Sequence, residues 1–310
     1  SVPDYVLPND EMATIVDTND EWIRTRSGIR ERRICTTETP STLATQAAER
    51  ALKDAHVSAQ ELDLIICATI RGEYISPAEA CVIQKNIGAT CPAFDLNAAC
   101  SGFLYALDVA DGFFARKRVK KVLVVGMDNM SNSLDWQDRS TCVLFGDGGG
   151  AAVLGEGDGL LSIHITAQGD YDCLAIPRGE NTNPRYANGS QRPVLKMNGR
   201  DVYKFAVNAM SKGLQKAVDD AGLKQEQINW VIPHQANIRI IDAAAAKLQI
   251  PRERYFCNIA NYGNTSAGSI PIALDEMNKE GILKNGDLIA MSAFGGGLTS
   301  ASCVIRWNKD

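Results

Sequence analysis

The sequence predicts an α/β protein made of two related halves, and three observations support this prediction. Stretches with helical spacing of apolar residues alternate with short apolar stretches that are typical of buried strands. A predicted helix, turn and strand at 51–66 recur at 217–232 as a faint internal repeat. Glycine-rich segments before a strand also recur, at 146–150 and 295–297. We therefore expect two domains, residues 1–160 and residues 161–310.

Apolar periodicity and turn residues define the predicted elements. Ser41 or Thr42 is expected to cap the first long helix, since both follow Pro40. Residues 177–200 are rich in Gly, Asn, Pro and Arg and predict a long surface loop. The predicted helices cover residues 41–55, 77–87, 101–115, 201–221, 237–248 and 270–280. The predicted strands cover residues 62–69, 93–96, 121–126, 151–155, 229–233, 287–292 and 301–307.

Composition argues against several classes of function. A formal net charge of −5 disfavours a general nucleic-acid-binding protein. No apolar run approaches the roughly 20 residues that span a bilayer, and residues 1–10 lack the apolar centre of a signal peptide. The nine cysteines form no Cys-x-x-Cys pair, which favours a reducing cytosol and argues against a zinc site. We expect a cytoplasmic protein with no metal and with no nucleic-acid or membrane partner.

Three polar residues form the candidate catalytic set. Cys100 lies among small residues before a predicted helix, His234 follows a strand that ends in Pro233, and Asn264 lies between glycines before another helix. Together they offer a thiol nucleophile, an imidazole and an amide donor, the groups needed to transfer an acyl group. Singly, each is more often structural, as a core cysteine, a packing histidine or a cap. The repeat favours the functional interpretation, because it places a site between the two halves.

The neighbourhood of Cys100 suggests how the thiol is activated. A thiol at a helix N-terminus feels the partial positive charge of free N–H groups, so we expect a lowered pKa for Cys100. The glycine triplet at 295–297 is expected to bring a backbone N–H, that of Gly296, close to the amide of Cys100 as an oxyanion hole. A tight turn is the alternative explanation for these glycines.

An arginine-rich segment near the start of the chain suggests a nucleotide-like ligand. Residues 24–33 contain five arginines and follow Trp22 closely. Arginine binds phosphate, and an indole stacks on a flat base. The alternative is a solvated segment in which these arginines form helix salt bridges.

These motifs together resemble the β-ketoacyl-acyl-carrier-protein synthase III family, which starts type II fatty acid synthesis. The resemblance implies a duplicated thiolase-like fold with five αβαβα layers, acting as a homodimer. It implies decarboxylative Claisen condensation of an acyl-CoA primer with malonyl-acyl-carrier protein, without a cofactor, since the CoA thioester is a substrate. The segments that carry the resemblance are Asp17–Arg33, Asn97–Phe103, Phe145–Gly148, Met197–Gly199, Pro233–Arg239, Asn261–Ser269 and Ala293–Gly297.

The resemblance also implies roles for individual residues. Cys100 would carry the acyl group, while an uncharged His234 and Asn264 would stabilise the enolate formed as CO₂ leaves. The backbone N–H groups of Cys100 and Gly296 would hold the oxyanion. Positions that match the CoA channel are Thr18, Trp22, Arg26, Arg139, Gly199 and Asn237. Positions that match the docking segment for the carrier protein are Gln235, Ala236, Asn237, Ile238 and Arg239, with Lys204 and Lys247 as further contact charges.

Two positions depart from the pattern that the family implies. A short initial strand of the type Ile-x-Gly-x-Gly is expected before Pro3, and the sequence here begins at Ser1. Ser76 stands before Pro77 where some members have a bulky aromatic that closes the primer pocket of the partner subunit. We therefore expect room for primers larger than acetyl.

Three other functions remain open at this point. A related synthase of the same fold that starts polyketide or other secondary-metabolite chains would share nearly all of these motifs. A Cys-His-Asn hydrolase shares the order of the three residues, although the sequence around Cys100 lacks the signature of papain-like proteases. A non-catalytic module that binds carrier protein is the third alternative, and the intact set of Cys100, His234 and Asn264 argues against it.

Overall fold

Two four-stranded sheets form the framework of the computed structural model, which describes residues 1–179, 183, 185 and 192–309. The first sheet has three parallel strands and one antiparallel strand, and the second has one parallel pair followed by two antiparallel pairings. In hydrogen-bonding order, the first sheet contains β4 (Ala93–Leu96), β3 (Leu64–Ala68), β5 (Lys121–Asn129) and β6 (Asp147–Gly155). The second sheet contains β10 (Trp230–Pro233), β11 (Leu288–Gly295), β12 (Gly297–Arg306) and β7 (Leu160–Asp170).

Helices and two small strand pairs complete the described part of the chain. The strand pairs are β1 (Val6–Pro8) with β2 (Glu31–Arg33), and β8 (Leu174–Ala175) with β9 (Lys196–Met197). The helices are α1 (Asn9–Ile15), α2 (Asp20–Ser27), α3 (Pro40–Asp54), α4 (Glu79–Ile87), α5 (Gly102–Ala115), α6 (Gly199–Asp220), α7 (Ile238–Ala245), α8 (Ile259–Tyr262) and α9 (Ser269–Lys279). Among the described residues, no helix combines the length and the apolar character needed to cross a membrane.

The two sheets and the helices stack in five layers. Helices α5 and α9 pack between the sheets, where Leu104 and Met277 share one buried cluster with residues of both sheets. Helices α3 and α4 cover the outer face of the first sheet. Helices α6 and α7 cover the outer face of the second. Alternate residues of β3 enter different layers, which explains why a strand buried on both faces has a continuously apolar sequence.

Most predicted elements are present, with shifted ends. The predicted cap of α3 is wrong, because the side chain of Thr39 accepts a hydrogen bond from the Thr42 N–H and Pro40 is the first helical residue. The predicted helix at 237–248 ends as α7 at Ala245. The predicted loop at 177–200 is too long, since β9 and the start of α6 occupy its end. Residues 180–182, 184 and 186–191 of that loop lie outside the described residues.

The repeat found in the sequence is also present in the structure. Helix α3 leads through a short 3₁₀ turn into β3, and helix α6 leads through another into β10. The glycine-rich segments open β6 and β12, which each pair antiparallel with the strand before them in the sheet order. Corresponding segments therefore occupy corresponding places in the two sheets. Cys100 follows β4 and His234 follows β10, while Asn264 lies between α8 and α9.

Candidate active site

Cys100 lies on the connection between the first sheet and the central layer. The chain leaves β4, makes a 3₁₀ turn at Ala99–Ser101 and enters α5. The side chain of Asn97 accepts a hydrogen bond from the Ala99 N–H (3.1 Å), and Ala99 has a φ of 49°. Small residues are needed here because the turn is tight and its backbone contacts the opposite sheet.

The expected lowering of the Cys100 pKa is wrong. Burial raises the pKa of the thiol to about 12, since the sulfur lies deep in the protein and its charged form loses water. The Ser266 hydroxyl and the Cys100 backbone N–H act in the opposite direction, toward a lower pKa, but burial has the larger effect. The prediction considered only the local helix end, whereas the burial arises from packing against distant segments.

Gly295 fixes the distance between the second sheet and Cys100. A Cβ at this position would lie 2.6 Å from the Cys100 backbone nitrogen, closer than real Cβ atoms approach. The Thr299 hydroxyl donates a hydrogen bond to the Ala98 carbonyl (2.8 Å), which holds the same two segments together. Gly296, at the turn between β11 and β12, lines the same cavity as Cys100. This arrangement suits an oxyanion hole formed from backbone N–H groups.

His234 lies immediately after β10 and is buried, with 1% of its surface exposed. Its backbone N–H donates to the Ser292 carbonyl (2.7 Å), and its ring packs edge-on against Phe294. Neither ring nitrogen has a hydrogen-bond partner among the described residues, although both are buried. Burial lowers the pKa of His234 to about 3, so the imidazole is neutral near pH 7 and retains one N–H donor. Unpaired buried nitrogens of this kind point to a ligand.

Asn264 is held by backbone contacts with the segment before β6. Its N–H donates to the Leu144 carbonyl (2.8 Å), and its carbonyl accepts from the Gly146 N–H (3.1 Å). The side-chain oxygen accepts a hydrogen bond from the Ser266 N–H (2.9 Å). Because this contact orients the amide oxygen toward Ser266, the amide NH₂ group remains as a donor for a ligand in the cavity that Asn264 lines.

A single cavity of about 1070 Å³ joins the three residues to the surface. At its buried end lie Cys100, His234, Asn264 and Gly295, which we call the floor. Trp22 and three arginines surround its outer end, which we call the mouth: Arg26 and Arg239 line the cavity, and Arg26 and Arg139 pack on the Trp22 ring. The guanidinium carbons of Arg26 and Arg139 lie 4.7 and 5.0 Å from the ring centroid. Within the described residues, no group of three or more His, Cys, Asp or Glu is placed to hold a metal ion.

Comparisons with known proteins match this architecture and this sequence. Residues 94–169 match the family described as 3-oxoacyl-acyl-carrier-protein synthase III, and residues 218–307 match its C-terminal part; 3-oxoacyl and β-ketoacyl name the same group. The β-ketoacyl-acyl-carrier-protein synthase III of Clostridium acetobutylicum is 47% identical over 99% of this chain and 96% of that protein. The Aquifex aeolicus enzyme of the same name is 48% identical over the same shares. The chain belongs to the β-ketoacyl-acyl-carrier-protein synthase III family.

Solved structures confirm the thiolase-like fold and the membership. The crystal structure of the Aquifex aeolicus synthase III superposes with a TM-score of 0.93 at 47% identity and covers 99% of this chain and 97% of that one. The priming β-ketosynthase of the R1128 polyketide pathway superposes equally well, with a TM-score of 0.93 at 34% identity, over 100% of this chain and 94% of that one. As a member of the synthase III family, the chain is an acyltransferase that initiates fatty acid synthesis.

The positions that match the synthase III CoA channel differ in their surroundings. Trp22, Arg26, Gly199 and Asn237 line the cavity. Arg139 lies beside it, where it donates to the Asp17 carbonyl (3.0 Å) and packs on the Trp22 ring. Thr18 does not line the cavity, and its buried hydroxyl has no hydrogen-bond partner in the part of the chain that the structure describes.

One residue of the expected carrier-protein docking segment is wrongly assigned. Gln235 is 1% exposed, and its side chain donates to the Pro233 carbonyl and accepts from the Asn258 and Ile259 N–H groups. It therefore holds the chain after β10 in place and does not reach the surface. Ala236, Asn237 and Ile238 are half-buried, and Arg239 is exposed at the mouth.

Sequence reasoning missed two residues that contact the floor. The Ser266 hydroxyl lies 3.4 Å from the Cys100 sulfur, and Asp128, at the end of β5, lies buried beside it. Ser266 stands in the same motif as Asn264, but its sequence neighbours resemble those of an ordinary helix start. Asp128 ends an apolar strand, a position at which a polar residue is a weak signal. Only the folded chain brings them together.

Proposed function

We propose that this synthase III condenses an acyl-CoA primer with malonyl-acyl-carrier protein, through an acyl group carried on Cys100. The observation that supports this most directly is the single cavity that connects a nucleophile, two unpaired neutral donors and an arginine-rich mouth. An acyl-CoA has a phosphorylated end and, at the end of a long arm, a reactive thioester, so a cavity that binds it must accommodate both. The charged end would remain at the mouth while the reacting carbonyl reaches the floor.

In the first half-reaction, the sulfur of Cys100 attacks the thioester carbonyl of the primer and CoA leaves. The negative charge that develops on the carbonyl oxygen would be held by the backbone N–H groups of Cys100 and Gly296. The contact of Gly295 with the Cys100 nitrogen supports this role, because it positions the two segments before the substrate arrives. Splitting the condensation through a covalent intermediate lowers each barrier.

In the second half-reaction, His234 and Asn264 would bind the thioester carbonyl of malonyl-acyl-carrier protein. Loss of CO₂ places negative charge on that oxygen, and two neutral donors stabilise this charge more than they stabilise the ground state. The low pKa of His234 supports the role, since a neutral ring offers an N–H without donating a full proton. The enolate then attacks acyl-Cys100.

The mouth would bind the two carriers of acyl groups. We propose that Trp22, Arg26, Arg139, Gly199 and Asn237 contact CoA, with an indole for the flat base and arginines for the phosphates. Thr18 is retained as a weaker candidate, because it lies outside the cavity lining. For the carrier protein, Arg239 is the central contact, and Lys204 and Lys247 are exposed charges. CoA acts as a substrate, and we propose no cofactor.

The domain division, assembly and location of the chain are further parts of the proposal. Strand membership supports the division near residue 160, since β7 begins at Leu160 and belongs to the second sheet. We propose a homodimer formed at β4, the edge strand of the first sheet, with Tyr74 and Ile75, which precede α4 and are 53% and 80% exposed, as apolar contacts. Sedimentation equilibrium would then give the mass of two chains. Nine free cysteines support a reducing cytoplasm.

Intact mass spectrometry after incubation with single acyl-CoAs tests the proposed intermediate. We expect wild type to gain one acyl group, Cys100→Ser to gain none, and the matched variant Cys81→Ser to behave as wild type. Butyryl-CoA and branched acyl-CoAs are expected to label as well as acetyl-CoA, because Ser76 is small. Release of free acid without a longer chain would favour a hydrolase, and absence of any adduct would favour a binding module.

A polyketide-priming synthase is the second candidate, supported by the R1128 neighbour with its TM-score of 0.93. The two candidates share the floor and differ in their carrier protein. Condensation assays with malonyl groups on a fatty acid carrier protein and on a polyketide carrier protein separate them. We expect the fatty acid carrier protein to give the higher kcat/KM, and the reverse ranking would support the second candidate.

A further inference from the structure

The proton of the Cys100 thiol needs an acceptor before the sulfur can act. A thiolate is the nucleophilic form, yet burial raises the pKa of this thiol to about 12, so the resting enzyme holds it protonated at neutral pH. The proton must therefore leave as the primer binds. The acceptor has to be a base within reach of the sulfur, inside a cavity that the substrate closes to water.

His234 is a poor acceptor for this proton. Its ring is 1% exposed, and burial lowers its pKa to about 3, which makes it a weak base. Its nitrogens make no hydrogen bond to Cys100 or to any other described residue. The imidazole is suited to donate its existing N–H to an oxyanion, and a second task as base would place a positive charge in the same buried position.

Ser266 is in hydrogen-bonding contact with the Cys100 sulfur. Its hydroxyl oxygen lies 3.4 Å from the sulfur, within the range for hydrogen bonds to sulfur. The residue has a φ of 52°, a left-handed conformation that is uncommon for residues other than glycine. Its N–H is held by the Asn264 side chain (2.9 Å), so the hydroxyl is held in place at the floor. Strained backbone of this kind often accompanies a functional contact.

Asp128 lies on the other side of Ser266. Its carboxyl is 2% exposed, and the neighbouring Ser266 side chain acts to lower its pKa. One oxygen accepts from the Thr69 hydroxyl (3.0 Å) and the Ile70 N–H (2.7 Å), and the other accepts from the Ala267 N–H (3.2 Å). Burial raises the pKa of Asp128 to about 6, close to the pH at which a general base works best.

We propose that Ser266 and Asp128 relay the thiol proton away from Cys100 during acylation and return it afterwards. The Ser266 hydroxyl donates to the sulfur in the resting geometry, so it first turns its hydrogen toward the Asp128 carboxylate. As the sulfur attacks, the S–H proton then passes to the Ser266 oxygen and the Ser266 hydroxyl proton passes to the Asp128 carboxylate. The serine is unchanged, Asp128 becomes a neutral acid, and the sulfur forms its bond to the thioester carbon. CoA leaves as a thiolate and takes a proton from solvent.

The second half-reaction reverses the relay. When the enolate attacks acyl-Cys100, the sulfur leaves as a thiolate, and the proton returns from Asp128 through Ser266. The resting thiol and carboxylate are then restored, so no proton is gained or lost at the floor over one cycle. Neutral Asp128 also removes a negative charge that would otherwise oppose the Cys100 thiolate.

The relay rests on the proposed acylation of Cys100, and its test measures that step directly. The acylation rate of Cys100 by acyl-CoA is measured under single-turnover conditions by rapid quench and mass spectrometry, from pH 5 to pH 10. The variants are Ser266→Gly, which keeps the left-handed backbone without strain, and Asp128→Asn. Ser269→Ala is the matched control, because it removes a neighbouring buried hydroxyl that contacts Thr265 and not Cys100.

We expect both relay variants to acylate about 100-fold or more slowly at pH 7, which is the range for loss of a general base. The wild-type rate should rise through an apparent pKa near 6, and Asp128→Asn should lack this step. Other ionisable groups around Asp128 are the thiols of Cys100 and Cys67, and Cys67 stays protonated because burial raises its pKa well above its usual value. His234 is already neutral across this range.

The acylation rate of Ser266→Gly at high pH distinguishes the loss of a base from a distortion of the floor. Hydroxide replaces a missing base, so the Ser266→Gly rate should approach that of wild type toward pH 10, whereas a distorted floor would remain slow. Wild-type rates in Ser266→Gly at pH 7, or an unchanged step near pH 6 in Asp128→Asn, would overturn the relay while leaving acylation of Cys100 intact. Failure of wild type to acylate would instead overturn the proposed function.

Discussion

The floor and the mouth of the cavity are built in different ways. At the floor, Gly295 packs closely against the Cys100 backbone, and Asn264 is held by backbone hydrogen bonds to Leu144 and Gly146. At the mouth, Arg26 and Arg239 are exposed side chains. Exposed charges are individually worth about 1 kcal/mol or less. We therefore expect changes at the floor to affect rate by orders of magnitude, and changes at the mouth to affect affinity modestly.

The largest expected effect is that of Gly295→Ala. A Cβ at this position would lie 2.6 Å from the Cys100 nitrogen, so the N–H groups of the oxyanion hole must move apart. We expect kcat to fall by about 100-fold or more, the range seen when one oxyanion donor is lost. Steady-state condensation assays measure this loss.

Gly112→Ala is the matched control for this change. Gly112 lies in α5, the helix that follows Cys100, and a Cβ there meets no atom within 4 Å. Alanine favours the helix, so we expect unchanged activity and a gain of about 0.5–1 kcal/mol in the free energy of unfolding. Activity of Gly295→Ala within threefold of wild type would show that the floor tolerates movement, and the contrast with the mouth would be lost.

A second prediction concerns two buried groups at the floor that titrate in opposite senses. The pKa of His234 is lowered to about 3, so the folded protein binds fewer protons than the unfolded chain between pH 3 and 6.5 and loses stability as pH falls. The pKa of Asp128 is raised from 3.8 to about 6, so the folded protein binds more protons than the unfolded chain between pH 3.8 and 6 and gains stability as pH falls.

Single variants separate the two contributions. Relative to wild type, His234→Gln should become more stable as pH falls from 6.5 toward 4, and Asp128→Asn should become less stable from pH 6 toward 4. Each difference is expected to change by at most about 1.4 kcal/mol per pH unit. Urea unfolding at fixed protein concentration over this range measures it. If the free energy of unfolding depended on pH in the same way for all three proteins, neither group would have the shifted pKa that its burial implies.

The three candidate catalytic residues of the floor could be predicted from the sequence, but the pKa of Cys100 and the contacts around it could not. Cys100, His234 and Asn264 stand in motifs that carry their own local geometry, and the repeat predicted a site between the two halves. The pKa of Cys100 could not be predicted, because its burial depends on packing against residues more than 150 positions away. Asp128 stands at the end of an apolar strand and Ser266 in a turn. Neither local sequence predicts that the two side chains lie close together.

The mouth shows the opposite pattern. Trp22 and Arg26 stand in an arginine-rich segment that was visible in the sequence, whereas Arg139 and Arg239 come from distant segments and join them only in the folded chain. The segment Gln235–Arg239 looked uniform as a docking surface, and the structure divides it, with Gln235 bound to backbone groups and Arg239 exposed. Whether a polar residue after a strand points inward depends on which loop packs above it, and that loop here comes from residues 256–259, about 20 positions later.

The smallest expected effect is that of Arg239→Ala at the mouth. An acidic carrier protein loses one exposed ionic contact, so we expect its KM to rise roughly two- to fivefold with kcat unchanged. The difference should shrink as salt is raised toward 0.5 M, because salt screens exposed charges. Condensation rates as a function of carrier-protein concentration, at low and high salt, measure both effects.

Lys216→Ala is the matched control for Arg239→Ala. It removes the same charge from the surface, but Lys216 lies near the far end of α6 and pairs with Asp220. At about 1.5 Å per residue, that position is about 25 Å along the helix from Gly199 at the cavity. An equal rise in KM for both variants would attribute the effect to net charge alone. A rise confined to Arg239→Ala would locate carrier-protein binding at the mouth, where the reacting thioester can enter the cavity.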